Sequence, residues 1–546
     1  MKKSTLLLAG LLALNTTSKA DEGMWTLFNL PDAIYTQMVD YGFKLPCDML
    51  YNSPNAISNY VVNFSGFCSG VVVSPEGLVF TNHHCGFGAI NALSTVEHDY
   101  MRDGFYAKSY VEELPCERTF VSFMRSQEDI TDRIAPLIAD KSLQRQGEII
   151  DSIENVMNAE VKKKDKTLHL EVAPFYERNK FYATTYQDFT DVRLVFTVPK
   201  SMGKFGGDTD NWMWPRQTCD FSVFRIYADP KTNGPAAYSK DNVPYRPEHF
   251  APVSLQGYND KDFAMTIGFP GSTNRYLSSF GIQQRRDIEN TARVQSRDIK
   301  LAIMKKYMDA EQNVRIQYES KYASSANYWK NSMGMNKCID SIGLIRQKAE
   351  YEERIKNWLA QQSSKHPSVD VDFAKLEQLY AENRPISQAL IYWKESFGRT
   401  TEFFTRAMTL NSKLSLTGSA AKPKAQYYEF KDNSSEWHYA LDKEVTAAML
   451  QNYAKMVPVE YQPAFFKTVK TKFGGDFYKY TDWLYKTSKV LTKGAKFYPN
   501  DTKKFMKDPA AQIGKDLLEV YQQIAKESMQ VTEAIGAQEK KLTEAK

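Results

Sequence analysis

Beyond residue 20, the sequence lacks any uninterrupted apolar run of the ~18 residues that a membrane-spanning helix requires, so no membrane span is expected. It also lacks an excess of charge of one sign, because 70 Lys and Arg residues face 65 Asp and Glu residues and leave a net charge of +5. Nucleic-acid-binding proteins concentrate basic residues on one face, so this balance argues against a nucleic-acid partner. HExxH and CxxC spacings are absent as well. We therefore expect neither a metal site nor any other cofactor.

The N-terminus has the composition of a secretory signal. Lys2 and Lys3 give it a positive start, and residues 6–14 form an apolar stretch that is too short to span a bilayer. Small residues mark a cleavage site near Ala20. The sequence thus predicts a signal peptide over residues 1–20 and a periplasmic or secreted location. Export permits disulfides, but 6 cysteines in 546 residues are too few for a disulfide scaffold.

Proline is missing from residues 271–366, and this absence divides the chain. Apolar residues recur there in helical period, so we predict several long helices within 276–546, with a break near Pro385 among others. Residues 21–275 instead contain short Val-, Phe- and Ile-rich runs bounded by Gly, Pro or Asp, which are typical of strands. One helical insertion is expected near 129–166. The predicted strands lie at 70–73, 78–81, 192–198 and 221–227. The predicted fold class is α+β, with a β-rich domain followed by a large all-α domain.

Residues 64–90, FSGFCSGVVVSPEGLVFTNHHCGFGAI, carry the most specific local pattern. Two apolar strands flank a Ser-Pro-Glu-Gly turn, and His84 directly precedes Cys85. Cys68 lies 17 positions earlier, a pattern typical of chymotrypsin-like serine proteases, in which a disulfide fixes the strand end that carries the general base. A Cys68–Cys85 bridge would also stabilise the fold by roughly 3 kcal/mol. The competing interpretation is a buried hairpin with two incidental histidines.

Either His83 or His84 could face a nucleophile, because neighbouring side chains of a strand or tight turn point in different directions. We choose His84 as the candidate base because it adjoins Cys85. A zinc site built from His83, His84 and Cys85 is disfavoured, since three consecutive residues do not easily converge on one ion.

A histidine base needs a carboxylate that fixes its tautomer and stabilises the imidazolium. Asp220 is the best candidate because it directly precedes the apolar run 221–227. Asp208 and Asp210 are competitors, although their glycine-rich surroundings indicate a loop. Taken alone, Asp220 is equally well explained as a residue that caps the start of a strand.

Several blocks of the sequence resemble the bacterial dipeptidyl-peptidases 7 and 11, a family of exported chymotrypsin-like serine exopeptidases. The resembling blocks are DEGMW at 21–25, TNHHCG at 81–86, DTDNWMWPR at 208–216, GFPGSTNRY at 268–276 and SKYASSANYWKN at 320–331. The resemblance covers essentially the whole chain, and TNHHCG and DTDNWMWPR are its most specific parts.

The resemblance implies a chymotrypsin-like double β-barrel whose halves are separated by an inserted helical domain. It also implies removal of dipeptides from free peptide N-termini. By position, His84 corresponds to the general base and Asp220 to its orienting acid. Asn211 and Trp212 match the site for the substrate α-amino group, and Asn327 matches a contribution of the helical domain to that site. From the residues alone, Asn211 would be a turn amide and Trp212 a core indole.

The sequence also departs from this family. It contains no Gly-x-Ser-Gly or Gly-Asn-Ser-Gly block, whereas the family takes its nucleophilic serine from the second half-barrel, after the helical domain. We therefore expect the second half-barrel to be absent from these 546 residues. A base without its nucleophile retains little acyl-transfer capacity, so the chain by itself is expected to be inactive.

The remaining cysteines give a less specific pattern. Cys219 stands where the family has glycine, directly before the candidate acid. Cys47 and Cys116 are candidate partners in a second bridge, although sequence cannot establish connectivity. Cys219 and Cys338 are then expected to be free, buried thiols.

These features favour a serine-type dipeptidyl-peptidase whose partners are peptides with a free N-terminus. The alternative is a non-catalytic periplasmic peptide-binding protein that uses the same cleft to hold peptide N-termini. A homodimer is compatible with the sequence. Preference at the second substrate residue, hydrophobic or acidic, is left open.

Overall fold

The computed structural model describes residues 24–51, 53–207, 209–213, 215–362, 370–398, 400–417, 428–430, 437–488, 495–497 and 506–546. The signal peptide predicted over residues 1–20 and the competitor Asp208 lie outside these ranges. Within them, the protein combines an antiparallel sheet with many helices, which confirms the mixed α and β composition. None of the helices in the described ranges is long and apolar enough to cross a membrane.

The β-rich part forms one 11-stranded sheet in which every strand pair is antiparallel. Its strands are β1 (Val61–Phe64), β2 (Cys68–Val72), β3 (Leu78–Thr81), β4 (Phe105–Tyr106), β5 (Leu114–Pro115), β6 (Val121–Asp129), β7 (Leu168–Phe175), β8 (Lys180–Phe189), β9 (Val192–Thr197), β10 (Ser222–Ala228) and β11 (Val243–Pro244). The order is β4-β9-β10-β3-β2-β1-β6-β8-β7, with β5 beside β9 and β11 beside β10. A separate pair joins β12 (Tyr428–Phe430) to β13 (Ala495–Phe497). The predicted strands correspond to β2, β3, β9 and β10.

Helices interrupt the sheet and dominate the chain after residue 278. They are α1 (Asp32–Asp40), α2 (His83–Leu93), α3 (Tyr100–Asp103), α4 (Thr131–Ile138), α5 (Leu143–Lys164), α6 (Lys200–Gly203), α7 (Ser279–Gln284), α8 (Thr291–Ala310), α9 (Gln312–Ile342), α10 (Leu344–Gln362), α11 (Phe373–Phe397), α12 (Glu402–Thr417), α13 (Tyr439–Met456), α14 (Phe465–Phe473), α15 (Phe477–Thr487) and α16 (Pro509–Ala545). A π-helical turn, Arg285–Asn290, joins α7 to α8. The predicted helical insertion near 129–166 is confirmed by α4 and α5.

Helix α11 continues through Pro385, so the predicted break at this residue was wrong. A proline inside a helix removes one backbone hydrogen bond and crowds the preceding turn. Ile386 and Ala389, which follow it, are buried in the helical core. Packing of this apolar face therefore keeps the helix continuous despite the local cost.

The sheet and the helices bury separate apolar cores. Phe64, Val79 and Phe224 are almost fully buried in the sheet, together with three cysteines. The largest helical core is rich in aromatic residues from α11, α12 and α13. Helix α16 packs against α11 and α12.

The second disulfide that the sequence suggested, between Cys47 and Cys116, does not form. Both residues are free thiols, one exposed at a short 3-10 turn and the other buried in the sheet core. Burial raises the pKa of the Cys116 thiol to about 12, so it behaves as a small apolar side chain. Cys219 and Cys338 are free as expected, but the first is half-buried and the second exposed, so their predicted burial was wrong.

A buried ion pair anchors β10 to the segment before β5. The Glu113 carboxylate accepts hydrogen bonds from Arg225 Nε at 2.8 Å and from Tyr227 Oη at 2.8 Å. Arg225 and Tyr227 are alternate residues of β10 and therefore lie on one face of the strand. Burial raises the pKa of Glu113, and the hydrogen bond from Arg225 offsets part of that shift. The Glu113 carboxylate thus bonds to two side chains of β10 and fixes this strand to the segment before β5.

Replacement Glu113→Ala should lower the free energy of unfolding by about 3–5 kcal/mol, because it leaves the Arg225 guanidinium buried without its counter-charge. Urea unfolding followed by circular dichroism measures the change. The matched control is Glu117→Ala, which removes a carboxylate from an exposed residue nearby and should change stability by less than about 0.5 kcal/mol. Equal effects of the two substitutions would contradict the anchoring role of Glu113.

Candidate active site

The pairing of β3 with β10 brings the candidate base and acid together. Ser222, the first residue of β10, lies opposite Thr81, the last residue of β3. Three residues beyond Thr81, His84 lies in the first turn of α2, and Asp220 comes two residues before Ser222. Asn82 Nδ2 also donates to the backbone oxygen of Asp220 at 3.1 Å. The two strand ends therefore place the carboxylate beside the helix that carries the imidazole.

Asp220 contacts His84 through both of its carboxylate oxygens. Oδ2 lies 2.7 Å from His84 Nδ1, and Oδ1 accepts the backbone N–H of His84 at 3.0 Å. The second contact satisfies a donor that a helix N-terminus leaves unpaired. With Nδ1 bonded to the carboxylate, Nε2 is the nitrogen that carries the lone pair. The His84 side chain is 67% exposed, so the candidate base is accessible from solvent.

The disulfide Cys68–Cys85 fixes the start of α2 to β2. The two Cα atoms are 6.1 Å apart and the sequence separation is 17. The bond thus ties the residue next to His84 to a strand that pairs with β3. Although ligand atoms of Cys68, His84 and Cys85 lie within 4.8 Å of one another, sulfurs joined in a disulfide are not thiolates and do not ligate zinc in that form.

His83 occupies a different environment from its neighbour. Its side chain is buried, and its Nε2 atom has no hydrogen-bond partner among the described residues. Burial lowers the pKa of His83, while the nearby Asp220 charge acts in the opposite direction. The ring packs against Gly203, where an added Cβ would lie 2.5 Å from the ring. The structure therefore places His84, rather than His83, against the carboxylate.

A second group joins the sheet part to α9. The Asn327 Oδ1 atom accepts hydrogen bonds from Asn211 Nδ2 at 2.7 Å and from Trp212 Nε1 at 2.9 Å. Both donors share Asn327 Oδ1. Asn211 uses only its Nδ2 atom in this contact, so its Oδ1 remains an acceptor with no hydrogen-bond partner among the described residues. Trp212 is 56% exposed, so it is not the core indole that its residue type alone would suggest.

The loop that presents Asn211 and Trp212 is held in an uncommon conformation. Trp212 has φ +59°, which is unusual for a residue with a side chain. Gly206 has φ +77°, and a Cβ at this position would overlap the carboxylate of Asp210. Lys330 Nζ, on α9, donates to the backbone oxygen of Thr209 at 2.8 Å. Strain at an exposed loop is common where side chains are positioned for binding.

The sequence profile described as Peptidase S46 matches residues 20–546, nearly the whole chain. The chain belongs to the peptidase S46 family. Dipeptidyl-peptidase 7 of Porphyromonas endodontalis is 42% identical over 531 residues, which cover 96% of this chain and 64% of that protein. The Asp/Glu-specific dipeptidyl-peptidase of Porphyromonas gingivalis is 36% identical over 553 residues, covering 96% of this chain and 75% of the relative.

Solved structures agree with this assignment. The crystal structure of Porphyromonas endodontalis DPP11 matches with a TM-score of 0.79 and 28% identity, over 96% of this chain and 76% of that one. A structure of the same protein in complex with the dipeptide Arg-Glu matches with a TM-score of 0.74 and 26% identity, over 96% and 77%. The S46 chain described here thus spans 64% to 77% of the length of these relatives.

The predicted site residues of this S46 chain fall into two contacting groups. His84 meets Asp220, and Asn327 meets Asn211 and Trp212, whereas no hydrogen bond joins the groups within the described ranges. Sequence reasoning missed Asn82, which lies in the TNHHCG block, and Lys330, which lies in the SKYASSANYWKN block. Their presence in the two blocks was the available signal, since polar residues inside a specific motif are candidates for positioning roles.

Replacement Gly203→Ala should lower the free energy of unfolding by about 1–3 kcal/mol, because the new methyl group must displace the buried His83 ring. Urea unfolding measures the change. The matched control is Gly147→Ala in α5, where an added Cβ meets nothing within 4 Å. There the substitution should stabilise the protein by about 0.5–1 kcal/mol, since Ala favours helix over Gly. A stabilising effect at Gly203 would contradict the close packing of His83.

Proposed function

We propose that this S46 protein is a serine dipeptidyl-peptidase that releases dipeptides from peptides with a free N-terminus. The observation that carries the proposal is the 2.7 Å contact between Asp220 Oδ2 and Nδ1 of the His84 imidazole, a ring that is itself exposed. Family membership and relatives named as dipeptidyl-peptidases support the same reaction class.

In the proposed reaction, His84 Nε2 takes the proton of a serine hydroxyl while the serine oxygen attacks the carbonyl carbon of the second peptide bond. His84 then gives this proton to the leaving amine, and a water molecule hydrolyses the acyl-enzyme in the same way. Asp220 keeps the imidazole in the required tautomer and stabilises the imidazolium. Residues 1–546 contain no recognisable nucleophile motif, so no serine is assigned this role.

Asn211, Trp212 and Asn327 are proposed to bind the α-ammonium group of the substrate. An ammonium has three N–H donors, and burying it without acceptors costs several kcal/mol. Asn211 Oδ1 is an acceptor available for this purpose, and the hydrogen bond to Asn327 fixes the orientation of the Asn211 amide. Restricting the site to free N-termini would make the enzyme an exopeptidase.

The proposed architecture is the first half of a chymotrypsin-like double barrel in residues 21–275, followed by an inserted helical domain in residues 276–546. The antiparallel sheet and the likeness to DPP11 support this arrangement. The composition of residues 1–20 supports export to the periplasm or medium. Peptides with a free N-terminus are the proposed partners, and a homodimer is compatible with this function.

Substitutions His84→Ala and Asp220→Asn should each lower kcat/KM for a chromogenic dipeptidyl substrate by about 10⁴-fold, because the first removes the base and the second favours the wrong tautomer. The assay uses the protein as its gene encodes it; residues 1–546 span 64% of the length of one relative. Residues 1–546 by themselves are expected to show no turnover, because they contain no recognisable nucleophile motif.

The control for the histidine substitution is His98→Ala, which removes an exposed imidazole and should leave activity unchanged. Urea unfolding checks that each variant is folded. Undiminished turnover by His84→Ala would exclude the proposed base. Peptide binding without turnover by the unsubstituted gene product would instead favour the peptide-binding alternative.

Acetylation of the substrate N-terminus should lower kcat/KM by about 100-fold, because it removes the charge that Asn211 Oδ1, oriented by Asn327, is proposed to bind. Substitution Asn211→Ala should lower the rate for the free peptide and leave the rate for the acetylated peptide unchanged, so the blocked substrate serves as the internal control. Equal rates for free and acetylated peptides in the unsubstituted enzyme would contradict this assignment.

A further inference from the structure

A cavity of about 520 Å³ lies within the helical part, between α8, α9, α13 and the start of α12. Buried residues of the described chain form its floor, among them Tyr318, Ser325 and Val445. Exposed residues at its mouth include Ser324 and Tyr328. Its volume is in the range of sites that bind small molecules.

Lys300 lines this cavity without a counter-charge of its own. No hydrogen bond or ion pair within 4 Å involves its ammonium group among the described residues. Burial lowers the pKa of Lys300 to about 8; the Arg297 charge acts in the same direction, and the charges of Glu395 and Asp442 offset part of the shift. At neutral pH the ammonium is thus charged but poorly solvated, and a bound anion would stabilise it.

Two other cations of the cavity, Arg297 and Lys321, are already paired with carboxylates. Arg297 Nε donates to Glu395 at 2.8 Å, and Glu395 also accepts from Arg293 at 3.2 Å. Lys321 Nζ donates to Glu402 Oε1 at 2.7 Å. Each carboxylate named here therefore already has a cation in contact, and neither forms an ion pair with Lys300 within 4 Å.

The third carboxylate of the cavity, Asp442, is also occupied. It accepts the backbone N–H groups of Glu402 and Phe403 and the hydroxyl of Tyr485. Burial raises its pKa, which weakens it further as a counter-charge for Lys300. Four cationic residues, Arg297, Lys300, Lys321 and Lys394, line the cavity against three carboxylates, so positive charge exceeds negative charge there.

A second observation concerns a hydroxyl in the wall of the cavity. The Ser325 hydroxyl is buried in the cavity wall and has no hydrogen-bond partner in the part of the chain that the structure describes. A buried hydroxyl without a partner costs about 1–3 kcal/mol, which a ligand oxygen would recover. The backbone oxygen of Ser325 is already bonded to Arg297 Nη1 at 2.8 Å, so the residue is fixed in place.

We infer that this cavity binds a small anion bearing a carboxylate or phosphate group, with the Lys300 ammonium as its counter-charge and the Ser325 hydroxyl as a hydrogen-bond donor. The site is separate from the proposed catalytic pair and does not require the proposed peptidase activity. Ser324, at its mouth, lies three residues before Asn327 on α9, so the two side chains are neighbours on the helix surface.

Isothermal titration calorimetry at pH 7 and constant ionic strength tests the site, with sodium phosphate and sodium acetate titrated separately. At least one anion should bind saturably, and Lys300→Gln should weaken that binding at least tenfold. The matched control is Lys305→Gln on the same helix, which removes an exposed ammonium paired with Asp309 and should leave binding unchanged. Binding of acetate alone identifies a carboxylate ligand, and binding of phosphate alone a phosphate ligand.

Absence of saturable binding, or equal binding by the two lysine variants, would overturn the inference. A second measurement on the unsubstituted protein covers the case in which Lys300→Gln does not fold. Amine acetylation followed by peptide mass spectrometry should show that the bound anion slows modification of Lys300 at least threefold and does not slow that of Lys305. Equal rates at Lys300 with and without the anion would also overturn it.

Discussion

The candidate active site depends on the antiparallel pairing of β3 with β10. This pairing brings together Asn82 and Asp220, which are 138 residues apart in the chain, at one end of the sheet. Side chains alternate between the two faces of a strand, so a slip of one residue would turn every side chain of β10 to the opposite face. The register with Ser222 opposite Thr81 therefore determines that a carboxylate meets the N-terminus of α2.

Several further contacts stabilise this register from different sides. The disulfide Cys68–Cys85 connects α2 to β2, and the Glu113 carboxylate holds two residues of β10. Gly86, in the first turns of α2, lies so close to β10 that an added Cβ would be 2.8 Å from the Phe224 ring. The absence of a side chain at Gly86 allows the helix to approach the strand. Helix, strand and carboxylate are thus joined by several independent contacts.

Sequence reasoning identified this unit because its signals are local. His84 and Asp220 each adjoin an apolar strand, and the cysteine spacing indicated the disulfide, whereas the contacts of Asn327 were implied by family resemblance alone. The errors concern properties that depend on tertiary packing. Helix α11 tolerates Pro385 because its flanks are buried, and Cys116 is isolated by the sheet core. Neither property is encoded in the residues next to these positions, so no local pattern could predict it.

The two adjacent histidines show how burial assigns different roles to identical side chains. His83 lies against Gly203 in an apolar setting that lowers its pKa and favours the neutral ring. His84, one residue further along the helix, is exposed and bonded to a carboxylate, so its protonated form has a partner at 2.7 Å. A base that accepts a proton during a reaction requires such a partner for the charge it acquires. Reversing the two environments would leave a buried imidazolium without solvent and an exposed imidazole without orientation, and neither could serve as a general base.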